Sequence, residues 1–507
     1  MSIQANPLNR FLSRLEHIGN RLPHPAMLFV YLCGLVLLLS LLCALAGVSA
    51  VHPVSGDTVQ AINLLNSVGL HKILTQTVTN FTQFAPVGTV LVAIMGIGIA
   101  EHSGLIGAVL RAGVTRAPAG LLTFIVVFAG VMSSLAADTG YVVLVPLAAM
   151  MFVAVGRHPL AGIAAAFAGV SGGYSANLLI GPLDVILAGL SSEAAHLVDA
   201  EYEVSAAGNY YFIVVSTLLV SVVGTWVTER LVEPRLAEHK LTAHNEAPAQ
   251  GLTPEEKRGL IVVALFSLGF AVLLLWGLLP ADGLLRDPET GSVLKSPFIR
   301  GIVVIIAVYA GLAGILFGRS SGKWKSSSEF VLAMERSMVT MAGYLVLMFF
   351  AAQFVSYFSW SQLGVIAAIN GAQLLQVLQL PPTLLLLVFV FMAAAINLLV
   401  GSASAKWALI APIFVPMLML LGIAPEATQM AFRIGDSATN IITPLMPYFG
   451  VVVAYAQAYD KNVGIGTIMV TMLPYSVMFL LCWSLLLLLW LWFGWPLGPG
   501  VETLLGQ

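Results

Sequence analysis

A handful of charged and polar residues interrupt otherwise apolar sequence, and chemistry in this chain would be done there. Arg433 and Asp436 stand three residues apart in Arg433-Ile434-Gly435-Asp436-Ser437-Ala438-Thr439-Asn440, on one face if the segment is helical. Lys406 and Trp407 close the stretch Gly401-Ser402-Ala403-Ser404-Ala405-Lys406-Trp407. A carboxylate within an apolar run is costly and is retained mainly for function. Burial and neighbouring cations act on it in opposite directions, so Asp436 reads as a tunable proton or sodium site. The competing reading makes Asp436 a structural partner of Arg433, and both roles can coexist. The planar fork of Arg433 suits an anionic substrate group; a permanent salt bridge is its alternative. Lys406 would either snorkel or meet substrate. Trp407 would offer an aromatic platform or simply pack.

The weaker candidates divide in the same way. Asp184, and Asp138 in Ser133-Ser134-Leu135-Ala136-Ala137-Asp138-Thr139-Gly140, suit proton relay or capping. Ser402, Ser404, Asn397 and Asn440 supply neutral oxygens suited to sodium, and equally to satisfying backbone where a helix breaks. Pro425 and Pro444 read as hinge or break residues. Adjacent Glu101 and His102 suit a bundle hydrogen bond better than a relay.

The rest of the composition describes the solvent. Of 507 residues, 59% are hydrophobic and 9% charged, against about 25% charged in soluble domains, so the surroundings are lipid. A net charge of −2 leaves no basic footprint for nucleic acid. The nine histidines form no HExxH spacing. The three cysteines lie within apolar runs and imply neither a disulfide framework nor a zinc site. The charged N-terminus shows no small-residue cleavage site, so no removable signal peptide is expected. No GxGD-like site or nucleophile–histidine pairing supports an intramembrane enzyme.

These residues need elements to hold them, and the hydropathy supplies them. Runs long enough to cross the hydrocarbon core, about 20 residues, fall near 25–49, 87–111, 160–190, 208–231, 259–279, 299–318, 338–358, 427–457 and 464–494. Two more, 119–156 and 382–421, are interrupted at their centres by small and polar residues. Two short spans or one re-entrant hairpin would each return the chain to the side it came from. With the N-terminus in the cytoplasm, sixteen Lys and Arg fall inside and four outside (Lys72, Arg286, Lys295 and Arg300). That bias fixes the orientation, with the C-terminus outside. The long inner connection, 232–258, ends in the capping box Thr253-Pro254-Glu255-Glu256, and 191–207 is an acidic outer loop. The fold class expected is an all-α polytopic membrane protein: nine transmembrane helices plus two re-entrant hairpins in a single membrane domain, 1–507.

A shift of 266 residues superposes the interrupted regions. Tyr141 then meets Trp407, Pro146 meets Pro412, Gly156 meets Gly422, Pro159 meets Pro425, and Gly169 meets Gly435. The first block starts outside and the second inside, so the repeat is inverted: about 87–190 with hairpin 119–156, and about 338–457 with hairpin 382–421. The runs near 25–49, 208–231, 259–279, 299–318 and 464–494 are scaffold. Chance similarity among Gly, Pro and Ala is the rival explanation; matched breaks and equal block order oppose it. Inverted repeats with interrupted helices are the architecture of alternating-access carriers. Irregular backbone at membrane depth is tolerable only where it lines a cavity or binds something.

On blocks 131–190 and 397–457, above all the two segments that end in Lys406-Trp407 and begin at Arg433, the sequence resembles the p-aminobenzoyl-glutamate transporter family. The resemblance implies a homodimer in the bacterial inner membrane, its subunits nine-helix with two hairpins. It also implies import of p-aminobenzoyl-glutamate, or antiport-type export of sulfonamide antimetabolites, driven by protons or sodium, with links to folate metabolism and antibiotic resistance. The family's functional positions would fall on Asp184, Trp407, Pro425, Arg433, Asp436 and Pro444, with Asn397 a sodium ligand beside Asp436. No other cofactor is expected. The rivals are a sodium-coupled dicarboxylate carrier, an intramembrane enzyme and a channel.

Overall fold

The computed structural model describes residues 25–51, 56–135, 139–236, 251–280, 282–293, 296–377, 379–443, 446 and 448–506. Asp138, Pro444 and five cations of the charge tally (Arg10, Arg14, Arg21, Lys240 and Lys295) lie outside them. Helices dominate, because an apolar solvent forces backbone hydrogen bonds to close within each segment. Among the described residues one small antiparallel ladder, β1 (Ser49–Val51) against β2 (Thr58–Gln60), pairs Ala50 with Val59.

In chain order the helices begin with α1 (Pro25–Leu45), α2 (Ser67–Thr82) and α3 (Ala85–Ser103). Next come α4 (Leu105–Thr115), α5 (Leu122–Met132) and α6 (Val145–Ala154), the last entered through a π turn at Gly140–Leu144. Helix α7 (Pro159–Phe167) ends in a second π turn, Ala168–Gly172, and α8 (Pro182–Ala195) follows after a break. Then come α9 (Tyr210–Val227), α10 (Pro254–Leu278), α11 (Ile302–Ser320), α12 (Ser328–Thr340) and α13 (Ala342–Trp360). The remainder is α14 (Leu363–Val377), α15 (Pro382–Asn397), α16 (Ala403–Met419), α17 (Pro425–Asn440), α18 (Phe449–Tyr459) and α19 (Ile465–Phe493). Among the described residues, seven helices are long and apolar enough to cross a membrane, or up to nine if each of two bent pairs counts as one span.

Two series of elements share one order. Helices α4 and α5 bend by 117°, and so do α14 and α15. Both bends fall at proline, Pro118 and Pro381, whose ring fixes φ and whose predecessor is driven out of helical geometry. A returning helix follows each (α6, α16), then a helix broken in the middle (α7 to α8, α17 to α18). The broken helices run in opposite directions. Helix α7 starts where Arg157 pairs with Glu233 at 2.6 Å and Glu229 at 3.8 Å. Helix α17 starts at the other end of α9, where Ala424 N–H bonds the Thr503 carbonyl and Tyr211 N–H the Leu497 carbonyl. Each broken helix lays a glycine against the inbound hairpin leg: a Cβ on Gly169 would collide with the Val127 carbonyl, and one on Gly435 with the Val390 carbonyl.

Several sequence boundaries need correction. The run 87–111 is not one helix; it breaks at Gly104 (φ 87°), where α3 passes to α4. The runs 160–190 and 427–457 are each interrupted, as the broken-helix reading expects, whereas α14 occupies a stretch assigned to no element. Helix α1 stops at Leu45, short of 49, and α10 starts at Pro254, earlier than 259, on the expected Thr253–Glu256 box. Leu265, Leu268 and Trp276 of α10 stay exposed, as they would toward lipid.

Candidate functional site

Every residue of α17 from Pro425 to Asn440 is buried, although the segment carries Glu426, Gln429, Arg433 and Asp436. Buried charge persists only when paired and hydrogen-bonded, and each of these four has a partner. The Lys406 ammonium, itself fully buried, contacts the Asp436 carboxylate and the Asn397 side-chain oxygen. It gets there because Ser402 caps α16, its Oγ accepting from Ala405 N–H at 3.3 Å, which places Lys406 and Trp407 one turn inside the helix. Asn397, the last residue of α15, donates through Nδ2 to the Asp436 carbonyl (2.6 Å), Thr439 Oγ1 (2.8 Å) and Asn440 Oδ1 (2.9 Å).

Arg433 faces away from this cluster. Its guanidinium meets Asp184 Oδ1 at 2.7 Å and donates to the Ser175 carbonyl at 3.0 Å. Asp184 also accepts from Gly181 N–H at 2.7 Å, capping the N-terminus of α8, where a negative charge is favoured. One ion pair therefore ties the two broken helices together, and the other ties hairpin α15–α16 to α17.

A sequence profile described as the "AbgT putative transporter family" matches residues 10–505. Over 487 residues the chain is 36% identical to the p-aminobenzoyl-glutamate transport protein of Escherichia coli (strain K12), with 96% of each covered. The chain belongs to the AbgT family. Solved structures agree. The YdaH transporter of Alcanivorax borkumensis, reported to have an unusual topology, superposes with a TM-score of 0.91 at 53% identity, over 94% of this chain and all (100%) of that one. MtrF of Neisseria gonorrhoeae, from a class of antimetabolite efflux pumps, gives 0.91 at 46% identity, over 97% and 100%. As an AbgT-family member the chain is a transporter, not an enzyme.

Within this AbgT-family chain the expected sites fall into three groups. Asp436, Asn397 and Asn440 come together around Lys406, with Asn440 Nδ2 3.4 Å from Asp436 Oδ2. Arg433 and Asp184 form the second centre. This corrects the local pairing of Arg433 with Asp436: Lys406 takes the carboxylate, and the arginine turns to Asp184. Trp407 stands apart from both, fully buried against Phe432 (centroids 4.7 Å apart, planes at 32°), with Nε1 donating to Ser191 Oγ at 3.0 Å. No ring face is open for stacking in this conformation. Ser404 lies 3.3 Å from Ser402 Oγ at the hairpin tip, outside the Asp436 cluster. Pro425 opens α17 in its first turn. Tyr141, the counterpart of Trp407, stacks on Tyr448 at 4.4 Å and 8°. His102 bonds the Gly98 carbonyl of its own helix at 2.9 Å and lies 3.5 Å from Ser337 Oγ of α12, while Glu101 accepts from Thr139 Oγ1 at 2.9 Å, the bundle contacts expected of this pair.

Sequence reading overlooked Ser191, Gln429 and Asn209. Gln429 donates to Ser191 Oγ at 2.9 Å, and Asn209 donates to Gln429 Oε1 at 2.9 Å. The spacing of 429, 433, 436 and 440 marks one helical stripe and could have found Gln429. Arg433 Nε, Ser175 Oγ and Ser437 Oγ are buried without hydrogen-bond partners. Such orphaned groups are rare in native folds and each calls for an explanation, a bound group being one.

Proposed function

We propose that this chain is an ion-gradient-driven secondary transporter of p-aminobenzoyl-glutamate, sulfonamide antimetabolites, or both, with proton-driven export of sulfonamides as its working direction. The observation that carries the reading is the buried Arg433–Asp184 pair with its orphaned neighbours. An arginine Nε and two hydroxyls, from Ser175 and Ser437, form a donor set matched to a carboxylate or sulfonyl group. An anionic ligand there would compete with Asp184 for Arg433 and so loosen the contact between the broken helices. Relatives named for aminobenzoyl-glutamate transport and antimetabolite efflux support that substrate class. Trp407 would present its ring only after hairpin α15–α16 moves away from Phe432.

In this reading the two series of elements are inverted repeats, about 87–190 and 338–457, making nine transmembrane helices and two re-entrant hairpins. The matched 117° bends and opposed broken helices support it. The subunits pair as a homodimer in the inner membrane, N-terminus cytoplasmic and C-terminus periplasmic, so Arg157 faces the cytoplasm and Glu426 the periplasm. Asp436 carries the coupling step, with a proton or with sodium held by Asp436 and Asn397. One charge moved through 100 mV is worth about 2.3 kcal/mol, enough for roughly fifty-fold accumulation.

The test is flux into sealed liposomes that hold the purified chain, with labelled p-aminobenzoyl-glutamate or a sulfonamide and the pH and sodium gradients imposed separately. Saturable, gradient-driven accumulation that disappears in Asp436→Asn is expected. If neither ligand moves under either gradient, the substrate assignment fails. Movement of dicarboxylates under sodium alone would replace it with the sodium-coupled dicarboxylate carrier.

A further inference from the structure

Glu426 stands in the first turn of α17 at 1% exposure, and among the described residues no Lys, Arg or His forms an ion pair with it. Its partner is neutral: Oε2 accepts from the Tyr202 hydroxyl at 2.9 Å. The N-terminus of α17 returns part of the cost of a charge there. A carboxylate out of water without a cation stays expensive all the same, and such a group takes a proton instead. The frame does not demand an acid at this place. At the 266-residue shift its counterpart is Leu160, buried in the first turn of α7. What Glu426 has beside it is space. With Tyr202 it lines a cavity of about 930 Å³ between α8, the start of α17, the segment 199–206, residues 299–303 and the C-terminal tail. A partly polar space of that size admits water. The other charged groups that line it are Asp199, Glu201, Glu203, Arg300 and Glu502, and α3 and α8 add none. Acid outnumbers base, so the cavity concentrates cations, protons included.

We propose that Glu426 is a proton-binding site of this transporter, separate from Asp436, and that the cavity is the route by which the proton reaches it from water. The proton leaves a hydronium ion in the cavity and joins the Glu426 carboxylate, while Tyr202 keeps its bond to Oε2; no other bond forms or breaks. Glu426 rides on the helix that carries Arg433 and Asp436. A proton taken up at this end therefore changes the charge of the element that holds one member of each buried ion pair. The purpose of the site, and its place on the periplasmic side, rest on the carrier reading. Its test involves no transported substrate, so failure of flux would sink that reading and leave this one standing.

The experiment is infrared difference spectroscopy of the purified full-length chain as the pH is raised, following the carbonyl stretch of neutral carboxylic acids. The unaltered chain, Glu426→Gln, Asp436→Asn and Tyr202→Phe are compared. The unaltered chain is expected to lose a neutral-acid band on going to alkaline pH, and Asp436→Asn should keep that behaviour. Glu426→Gln should lack the band, and Tyr202→Phe should shift its frequency, because the hydroxyl no longer bonds the carboxyl. Where Glu426→Gln is not recovered folded, Glu426→Leu, which copies the first half, carries the same comparison. The route is read from the rate at which the band follows a pH jump. Thr89→Trp/Val303→Trp lays two indoles across the cavity and should slow that rate by roughly tenfold or more, since a filled space admits no water. A Glu426→Gln spectrum identical to that of the unaltered chain overturns the proton site. An unchanged rate in the tryptophan variant overturns the cavity as its route.

Discussion

The two halves of the molecule hold the same contact with opposite chemistry. At the 266-residue shift, Gly140, Val131 and Val170 in the first half stand where Lys406, Asn397 and Asp436 stand in the second. The contact itself is kept: a Cβ built on Gly140 would lie 3.0 Å from Val170 Cγ1, and Lys406 touches Asp436. Where the second half places an ion pair between hairpin and broken helix, the first places a glycine against a valine. The backbones differ to match. The first half carries π turns at Gly140–Leu144 and Ala168–Gly172, a local geometry common at functional sites. Helix α17 runs as a regular helix to Asn440. The lesson is that a symmetric frame need not carry symmetric chemistry. Buried charge is concentrated on one side, and the other contributes close packing plus the carboxylate, Asp184, that reaches across.

The largest effect should come from forcing the first half to imitate the second. Val170 is buried at 2% exposure, and its contact partner, Gly140, offers no charge. Val170→Asp places a carboxylate of similar size there without a counter-ion, which costs several kcal/mol. Val170→Thr, of the same shape and neutral, should be tolerated with a loss of about 1–3 kcal/mol for its buried hydroxyl. Size-exclusion profile and melting temperature read the difference. If Val170→Asp melts with Val170→Thr, the first half holds a hidden counter-charge and the contrast between the halves is wrong.

Next in size is the pair that crosses between the halves. Arg433→Met leaves Asp184 buried with only the Gly181 N–H as donor, and stranding one member of a buried pair costs about 3–5 kcal/mol. Arg433→Met/Asp184→Asn removes both charges and should recover most of that stability, while transport stays abolished. Thermal melting and liposome flux on the same preparations separate these outcomes. A double variant as unstable as the single one would mean that Arg433 stabilises through something other than Asp184.

How much of this was legible follows from what sets each feature. The breaks inside 119–156 and 382–421 and those that follow α7 and α17 could be read because small and polar residues interrupt apolar runs, and the cap at Thr253 because it is local. Gly104 escaped notice because a left-handed glycine inside an apolar run leaves hydropathy unchanged. Helix α14 escaped because Asn370, Gln373 and Gln376 dilute it below the hydropathy of a span. The four residues of the two buried ion pairs were singled out from the sequence, but their pairing was not. Spacing favours Arg433 with Asp436, three residues apart, whereas the fold gives Asp436 to Lys406 and Arg433 to Asp184. Which of two cations reaches a carboxylate is decided by hairpin placement, a tertiary property that no local spacing encodes. For the same reason Lys406, expected to snorkel or meet substrate, is fully buried.

The smallest effect tests the aromatic counterparts, Trp407 and Tyr141. Tyr141 stacks on Tyr448; Trp407 lies against Phe432 and donates from Nε1 to Ser191 Oγ at 3.0 Å. Trp407→Phe keeps a ring against Phe432 and removes that bond, so a loss of about 1 kcal/mol is expected. Ser191→Ala removes the acceptor for both Trp407 and Gln429 and should cost more, about 1–3 kcal/mol, because two buried donors lose their partner. The double variant Trp407→Phe/Ser191→Ala should cost less than the sum of the singles, since both remove the same bond. Strict additivity in the melting free energies would show that Trp407 is held by packing against Phe432 and not by the bond to Ser191.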